Sequence, residues 1–240
     1  MGNSTILITG ATSGIGYTTA EYLASVGYQL VLTGRNREKL KEIQLNISEA
    51  CVAAYEIDLT NTETIEGMFD TVKEQGIRLD GLIHCAGVEG SLRPVRSIRI
   101  KDLDLLIKLH YEAFVEMGRL FYKKAISNEG SSIIAISSLA SLMCQKNTVD
   151  YSTSKAAVNA AIKVMSKEFQ KRNIRVNGIM PANVDTPMCN NLKSVVDIET
   201  IQPMGMIEPV QIAYLAEFLL SDKAKYITGA LIPVSAGMEY

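Results

Sequence analysis

With 240 residues, a formal net charge of −2, 47% hydrophobic residues and 21% charged residues, the chain has the composition of a globular protein with a large buried core. That balance excludes a disordered chain and offers no general basic surface for nucleic-acid phosphates, and no apolar run approaches the roughly 18 residues of a membrane helix. Four cysteines without a close pair and two histidines show no metal-ligand spacing, and the start lacks a basic segment before a long apolar core, so no metal, no nucleic acid, no membrane and a reducing, cytoplasmic setting are expected.

The first strand is predicted at Thr5–Thr9, and Thr9-Gly10-Ala11-Thr12-Ser13-Gly14-Ile15-Gly16 leads from it into a helix over about 14–26. A glycine turn between a strand and a helix is the setting of a dinucleotide site. Gly10 permits the tight turn, Gly14 lets backbone approach a pyrophosphate, and Gly16 lets helix and sheet pack closely, while the helix N-terminus supplies N–H groups and a positive dipole end. A second strand, Gln29–Thr33, runs into Gly34-Arg35, so glycine stands where an NAD-preferring site would place a carboxylate. Arg35 beside it suits a 2′-phosphate, which makes NADP(H) the expected cofactor with NAD(H) as the alternative.

A helix over 37–47 and a strand at Val52–Ile57 precede Asp58-Leu59-Thr60, where Thr60 and Glu63 have the spacing of a capping box for a helix over 62–75. The strand Gly81–Cys85 passes into His84-Cys85-Ala86-Gly87. Arg93, Arg96, Arg99 and Lys101 then form a basic cluster that reads as a solvated loop and helix start, though an acidic carrier or a phosphorylated substrate could use it. In a helix over 101–127, His110 shares a stripe with Leu103, Ile107, Phe114, Met117 and Phe121. A polar residue on a buried stripe needs a partner, so His110 is either a satisfied core histidine or a proton-relay group that holds water or titrates itself.

The strand Ile133–Ser137 ends at Ser138, and Tyr151 and Lys155, four apart, open a helix over 151–171 on one face. After the strand Ile174–Ile179 comes Asn177-Gly178-Ile179-Met180-Pro181-Ala182-Asn183-Val184-Asp185-Thr186, then an aperiodic stretch over 187–208 that reads as a lid or as an ordinary long connection. A helix over 209–220 and the strand Leu231–Val234 complete the chain. Strands alternating with helices predict an α/β fold: one doubly wound parallel sheet of about seven strands with helices on both faces, in a single domain over 1–240.

The glycine turn with Ser138, Tyr151 and Lys155 closely resembles the short-chain dehydrogenase/reductase family, over nearly the whole chain. The resemblance implies a Rossmann-type sheet and NAD(P)-linked hydride transfer between a nicotinamide and a carbonyl or alcohol carbon. It implies that Tyr151 protonates the carbonyl oxygen, Ser138 hydrogen-bonds it, and Lys155 holds the nicotinamide ribose and lowers the tyrosine pKa, since free phenol at about 10 is a poor base. It assigns Asp58 and Leu59 to adenine, the Ala86 and Gly87 backbone to the cofactor, and Pro181, Val184 and Thr186 to the carboxamide end.

Departures from the family pattern fall at His84-Cys85, where two asparagines are common, at His110, in place of a helix asparagine that holds a water, and at Ala182, in place of glycine. Within the family the chain is similar to 3-oxoacyl-[acyl-carrier-protein] reductases, with Arg172 at a plausible carrier-docking position but Glu129 where a second base is expected. A small ketone, sugar or polyol, and a nucleotide-binding regulator that has lost turnover, are the other readings. Ala156, Ala157, Ala160 and Ala161 would let a second helix approach closely, and the resemblance implies a homodimer or homotetramer.

Overall fold

The computed structural model describes residues 4–190 and 197–240. Within them lie seven parallel strands in one sheet: β1 (Thr5–Thr9), β2 (Gln29–Gly34), β3 (Cys51–Glu56), β4 (Leu79–His84), β5 (Ser127–Ile136), β6 (Arg175–Pro181) and β7 (Leu231–Val234), in the order β3-β2-β1-β4-β5-β6-β7. This is the expected doubly wound α/β architecture.

Alternate residues of each strand face opposite layers. Ile6, Ile8, Leu30 and Leu32 pack under α1 (Gly14–Ser25), α2 (Arg37–Asn46) and a helix at Pro209–Leu220, whereas Leu7, Val31, Leu82 and Ile133 pack under α3 (Thr62–Glu74) and two later helices. The strand order reverses between β1 and β4, so the chain leaves both strands at one crevice, where an open α/β sheet takes its ligands.

The structure breaks the helix expected over 101–127. α4 (Ile100–Leu106) passes into a π-turn at Ile107–Glu112 before α5 (Ala113–Phe121). The added residue per turn brings Leu109 and His110 both to the interior. The helix stops at Phe121 because its last carbonyls find other donors: the Ser127 hydroxyl donates to the Phe121 carbonyl at 2.6 Å, and the Arg172 guanidinium donates to that of Tyr122. β5 accordingly begins six residues earlier than its apolar run. Ser127 pairs with Leu79, and a bulge around Gly130 (φ 79°) intervenes before Ser132 pairs with Gly81.

The cap of α3 also differs from expectation. Asn61, not Thr60, accepts from the Glu63 N–H at 3.0 Å, and Thr60 instead donates to Asp58 through both its N–H and its hydroxyl, at 3.0 and 2.9 Å. The short α6 (Ala140–Met143) precedes α7 (Val149–Glu168), which carries Tyr151 and Lys155 and ends in a 3-10 turn at Phe169–Arg172.

Of the stretch over 187–208, residues 191–196 lie outside the described residues. Its near side forms a 3-10 turn at Pro187–Cys189, and its far side holds α8 (Ile198–Ile201), before α9 (Pro209–Leu220). Gln202 is fully buried and spends its amide on Asn183 and Gly205, while the Asp185 N–H donates to the Ile207 carbonyl at 2.8 Å. The far flank is therefore fastened to the chain just after β6.

Candidate active site

The glycine turn has no room for side chains. A Cβ on Gly10 would lie 2.9 Å from the Ala86 Cα, one on Gly16 would lie 2.8 Å from the Gly10 carbonyl carbon, and one on Gly14 would press on the Thr186 side chain at 3.2 Å. Gly10 and Gly14 also have φ of 65° and 52°, in the region that favours glycine. The Ser13 side chain caps none of the first-turn N–H groups of α1, which leaves them facing the crevice.

Thr9 ties the two strand ends together there. Its hydroxyl oxygen accepts from the Cys85 and Ala86 N–H groups at 3.1 Å each and meets His84 Nδ1 at 3.1 Å. With two N–H groups already donating to it, the hydroxyl gives its own proton to Nδ1, so His84 carries its proton on Nε2, which is buried without a hydrogen-bond partner. Burial and the nearby Lys155 cation push the His84 pKa down to about 3.

Three cavities follow one another along the crevice. The first, about 160 Å³, is lined by Gly10, Thr12, Ser13, Arg35, Leu59, Ala86 and Gly87 among others. Gly34 is close-packed: a Cβ there would run into the Thr12 methyl and lie 3.1 Å from its hydroxyl. Leu59 rather than Asp58 forms the wall. The Asp58 carboxylate is turned onto Thr60, and the Thr60 hydrogen bonds, with a further contribution from Arg35, hold its pKa below the usual range.

The second cavity, about 100 Å³, brings together Ile15, Gly87, His110, Ser138, Tyr151, Lys155, Pro181, Val184 and Thr186, residues drawn from six separate stretches of sequence. Lys155 is 6% exposed and donates from Nζ to the Ile136 carbonyl at 2.9 Å, which stations the ammonium 5.8 Å from the centre of the Tyr151 ring. Burial lowers its pKa to about 8.

The expected lowering of the tyrosine pKa is not what this structure has. Burial pushes the phenol up to about 12 against an opposing hydrogen bond from the Ser138 side chain.

Both ring nitrogens of His110 have protein partners. Nε2 accepts from the Val88 N–H at 3.1 Å, so Nδ1 carries the proton and donates to the Ser154 hydroxyl at 2.9 Å, which in turn donates to the Tyr151 carbonyl at 2.8 Å. The ring stands edge-on to Tyr151, with centroids 5.7 Å apart. Burial, with Lys155 and His84 adding to it, lowers its pKa to about 2. At neutral pH this histidine is a neutral bridge and does not itself titrate.

A third cavity of about 230 Å³ shares Ser138, Tyr151, Pro181, Met188 and Cys189 with the second and adds Glu89, Gly90, Ser91, Leu92, Met143 and Met238. No sequence signal marked Glu89–Leu92 or Met143 as site residues, because they reach the crevice only through tertiary folding.

Arg172 does not stand at a docking surface. It is 8% exposed, donates to the Tyr122 carbonyl and, at 3.1 and 2.7 Å, to the Ser127 hydroxyl and carbonyl. Glu129 accepts from the Asn173 amide at 2.8 Å. Of the basic cluster, Arg93 and Arg99 both pair with Asp102. Ala161 belongs to the core, while Ala156 and Ala160 face outward. Among the described residues no group of three or more His, Cys, Asp or Glu could hold a metal, and no helix is long and apolar enough to cross a membrane.

Comparison with known proteins agrees with this geometry. The family model described as "Enoyl-(Acyl carrier protein) reductase" matches residues 10–239. A 3-oxoacyl-[acyl-carrier-protein] reductase from Rickettsia prowazekii is 31% identical over 237 residues, covering 98% of this chain and 96% of that protein. Among solved structures, a short-chain glucose/ribitol dehydrogenase from Brucella melitensis superposes with a TM-score of 0.92 at 28% identity, covering 100% of this chain and 98% of that one. A 4-hydroxyisoleucine dehydrogenase complexed with NADH gives a TM-score of 0.88 at 27% identity, covering 98% of each chain. A family model spanning all but the first strand and a relative aligned along nearly the full length, over the same doubly wound sheet, lead to one assignment: the chain belongs to the short-chain dehydrogenase/reductase family of oxidoreductases.

Proposed function

We propose that the protein is an NADP(H)-dependent oxidoreductase that interconverts a carbonyl and an alcohol, with Tyr151 as the group that moves the proton. The single observation that carries this reading is the meeting of Ser138, Tyr151 and Lys155 in one cavity between the glycine turn and a larger apolar-walled space. The turn fits a dinucleotide: it is a cradle that a Cβ at Gly10, Gly14 or Gly16 would fill, under a helix end whose N–H groups are left uncapped by Ser13.

In this reading Gly10, Thr12, Ser13, Gly14, Ile15 and Gly16 hold the phosphates, and Arg35 the 2′-phosphate. Leu59 borders the adenine with Asp58 behind it, the Ala86 and Gly87 backbone flanks the cofactor, and Pro181, Val184 and Thr186 receive the carboxamide. When bound, the nicotinamide supplies or accepts the hydride. Everything else falls to side chains. A phenol whose pKa is about 12 keeps its proton at neutral pH and donates it to the carbonyl oxygen as that oxygen gains charge. Ser138, in the same cavity as the phenol, donates to the same oxygen. Lys155 holds the ribose with the N–H groups that Ile136 leaves free. His110, neutral and bonded at both nitrogens, keeps Val88 and the start of α7 in place.

Similarity to 3-oxoacyl-[acyl-carrier-protein] reductases supports an acyl-carrier-linked substrate as a second reading. The burial of Arg172 weighs against that substrate docking as expected, and a small-molecule ketone has the better support. A lid over 187–208 is supported by Met188, Cys189 and Ile201 in the third cavity, and a cytoplasmic setting by four free thiols. Assembly as a homodimer or homotetramer is supported by the outward Ala156 and Ala160 of α7.

The test is NADPH consumption against a panel of carbonyl compounds, with cofactor binding followed by fluorescence. Tyr151→Phe is expected to lose nearly all turnover and keep NADPH binding. Near-normal kcat in that variant, or tight NADPH binding with no turnover of any carbonyl by the unmodified protein, overturns the reading.

A further inference from the structure

Asp150 is a buried carboxylate, 2% exposed, that the proton-transfer scheme leaves without a task. Burying such a group is costly unless its oxygens are hydrogen-bonded, and here three donors converge on it. Oδ1 accepts from the Tyr151 N–H at 2.8 Å, the bond expected of an acid in the first turn of a helix. Oδ2 is used differently: it accepts from the N–H and the hydroxyl of Ser91, at 2.8 and 2.6 Å, fifty-nine residues away in sequence. A helix cap alone has no need of the second pair.

An independent observation fixes the same contact. Gly90 lies so close to the catalytic helix that a Cβ would fall 2.6 Å from the Tyr151 Cβ and 2.9 Å from Asp150 Oδ1. The chain from Gly87 to Leu92 is thus joined to α7 at two points with different neighbours. At Val88, beside the second cavity, the joint is His110 and Ser154. At Gly90 and Ser91, in the wall of the third cavity, it is Asp150.

We propose that Asp150 is a positioning residue for the substrate: it latches the Glu89–Leu92 wall of the third cavity to the helix that presents Tyr151, and so sets the distance between the bound carbonyl and the phenol. The proposal rests on the proton-donor reading of Tyr151. Its physical force is that a displacement of about 1 Å in a reacting pair can cost about 100-fold in rate. The latch acts on the substrate side alone, because the cofactor side has its own joint.

The experiment measures KM and kcat for the best carbonyl of the panel, the NADPH dissociation constant and the melting temperature, for Asp150→Ala, Ser91→Ala, the double variant and Asp150→Asn. Asp150→Ala is expected to raise KM about tenfold and to lower kcat, with NADPH affinity within about twofold of the unmodified protein. Ser91→Ala, which leaves the Tyr151 N–H bond intact, gives a few-fold rise in KM that disappears in the Asp150→Ala background. Asp150→Asn, whose amide oxygen still accepts from Ser91, recovers most of the KM without recovering the melting temperature.

A lower melting temperature with unchanged KM and kcat would make Asp150 a helix cap and overturn the latch, as would a loss of NADPH affinity in step with the loss of activity. Should Asp150→Ala fail to fold, an unchanged KM in Ser91→Ala overturns it alone. Turnover by the unmodified protein with a normal KM in the variants defeats only the latch, whereas no turnover by the unmodified protein defeats the oxidoreductase reading and the latch with it.

Discussion

Lowering the pH from 7 to 5 is expected to destabilise the folded protein by about 4 kcal/mol through its two histidines. His84 and His110 are 2% and 1% exposed, and burial beside Lys155 lowers their pKa values from 6.5 to about 3 and about 2. The unfolded chain therefore takes up protons below pH 6.5 while the folded chain does not, so stability is complete above that pH and is lost as the pH falls toward the folded-state values. At pH 5 each unfolded histidine gains about 2 kcal/mol from protonation, whatever the folded pKa, provided it stays well below 5.

Urea denaturation at pH 7 and pH 5 measures the difference, and His110→Asn separates the two contributions. That variant is expected to be less stable at pH 7, having lost the bridge between Val88 and Ser154, yet to lose about 2 kcal/mol less than the unmodified protein on acidification. An equal loss in variant and unmodified protein would refute the assignment of a neutral, non-titrating His110.

Other perturbations separate the roles of individual groups. Gly16→Ala places a methyl group against the Gly10 carbonyl and is expected to cost about 3 kcal/mol or more in stability, by thermal denaturation, and to abolish NADPH binding. Arg35→Ala removes an exposed cation and is expected to weaken NADPH binding about tenfold with NADH unchanged, by fluorescence titration; equal losses for both would contradict the 2′-phosphate contact. Arg172→Ala strands the carbonyls of Tyr122 and Ser127 and is expected to lower the melting temperature by about 10 °C while leaving kcat near normal, the reverse of what a docking residue would do.

The doubly wound parallel sheet, the glycine turn and the Ser138, Tyr151 and Lys155 set were legible in the sequence because each rests on local pattern: alternation of strand and helix, glycine at fixed offsets, and two side chains four apart on a helix. The break in the 101–127 helix was not legible, since its apolar spacing continues unbroken through the π-turn and its end is decided by Ser127 and Arg172, six and fifty residues from the carbonyls they satisfy. The early start of β5 was hidden for a related reason, as Asn128, Glu129 and Gly130 have no strand character of their own and form a bulge held by its neighbours. Arg172 was placed at a carrier-docking position by the resemblance alone; only the fold shows three acceptors waiting for it. Gly34 was read as a missing carboxylate, and the structure adds a steric cause: the Thr12 side chain occupies the place a side chain would need.

The two histidines that depart from the family pattern, and Asp150 with them, tie together the segments around the reacting groups. His84 takes the Thr9 hydroxyl at the meeting of β1 and β4, His110 joins Val88 to α7, and Asp150 joins Ser91 to the same helix. Each replaces freely chosen backbone positions with one fixed by a buried polar contact, and an unmade contact of that kind costs more than the made one contributes. The three segments that must agree in position, the crevice floor, the Gly87–Leu92 wall and the helix bearing Tyr151, are thereby set relative to one phenol oxygen. A scaffold built this way can keep its proton chemistry constant while its substrate changes, because moving a joint shifts the wall without touching Ser138, Tyr151 or Lys155.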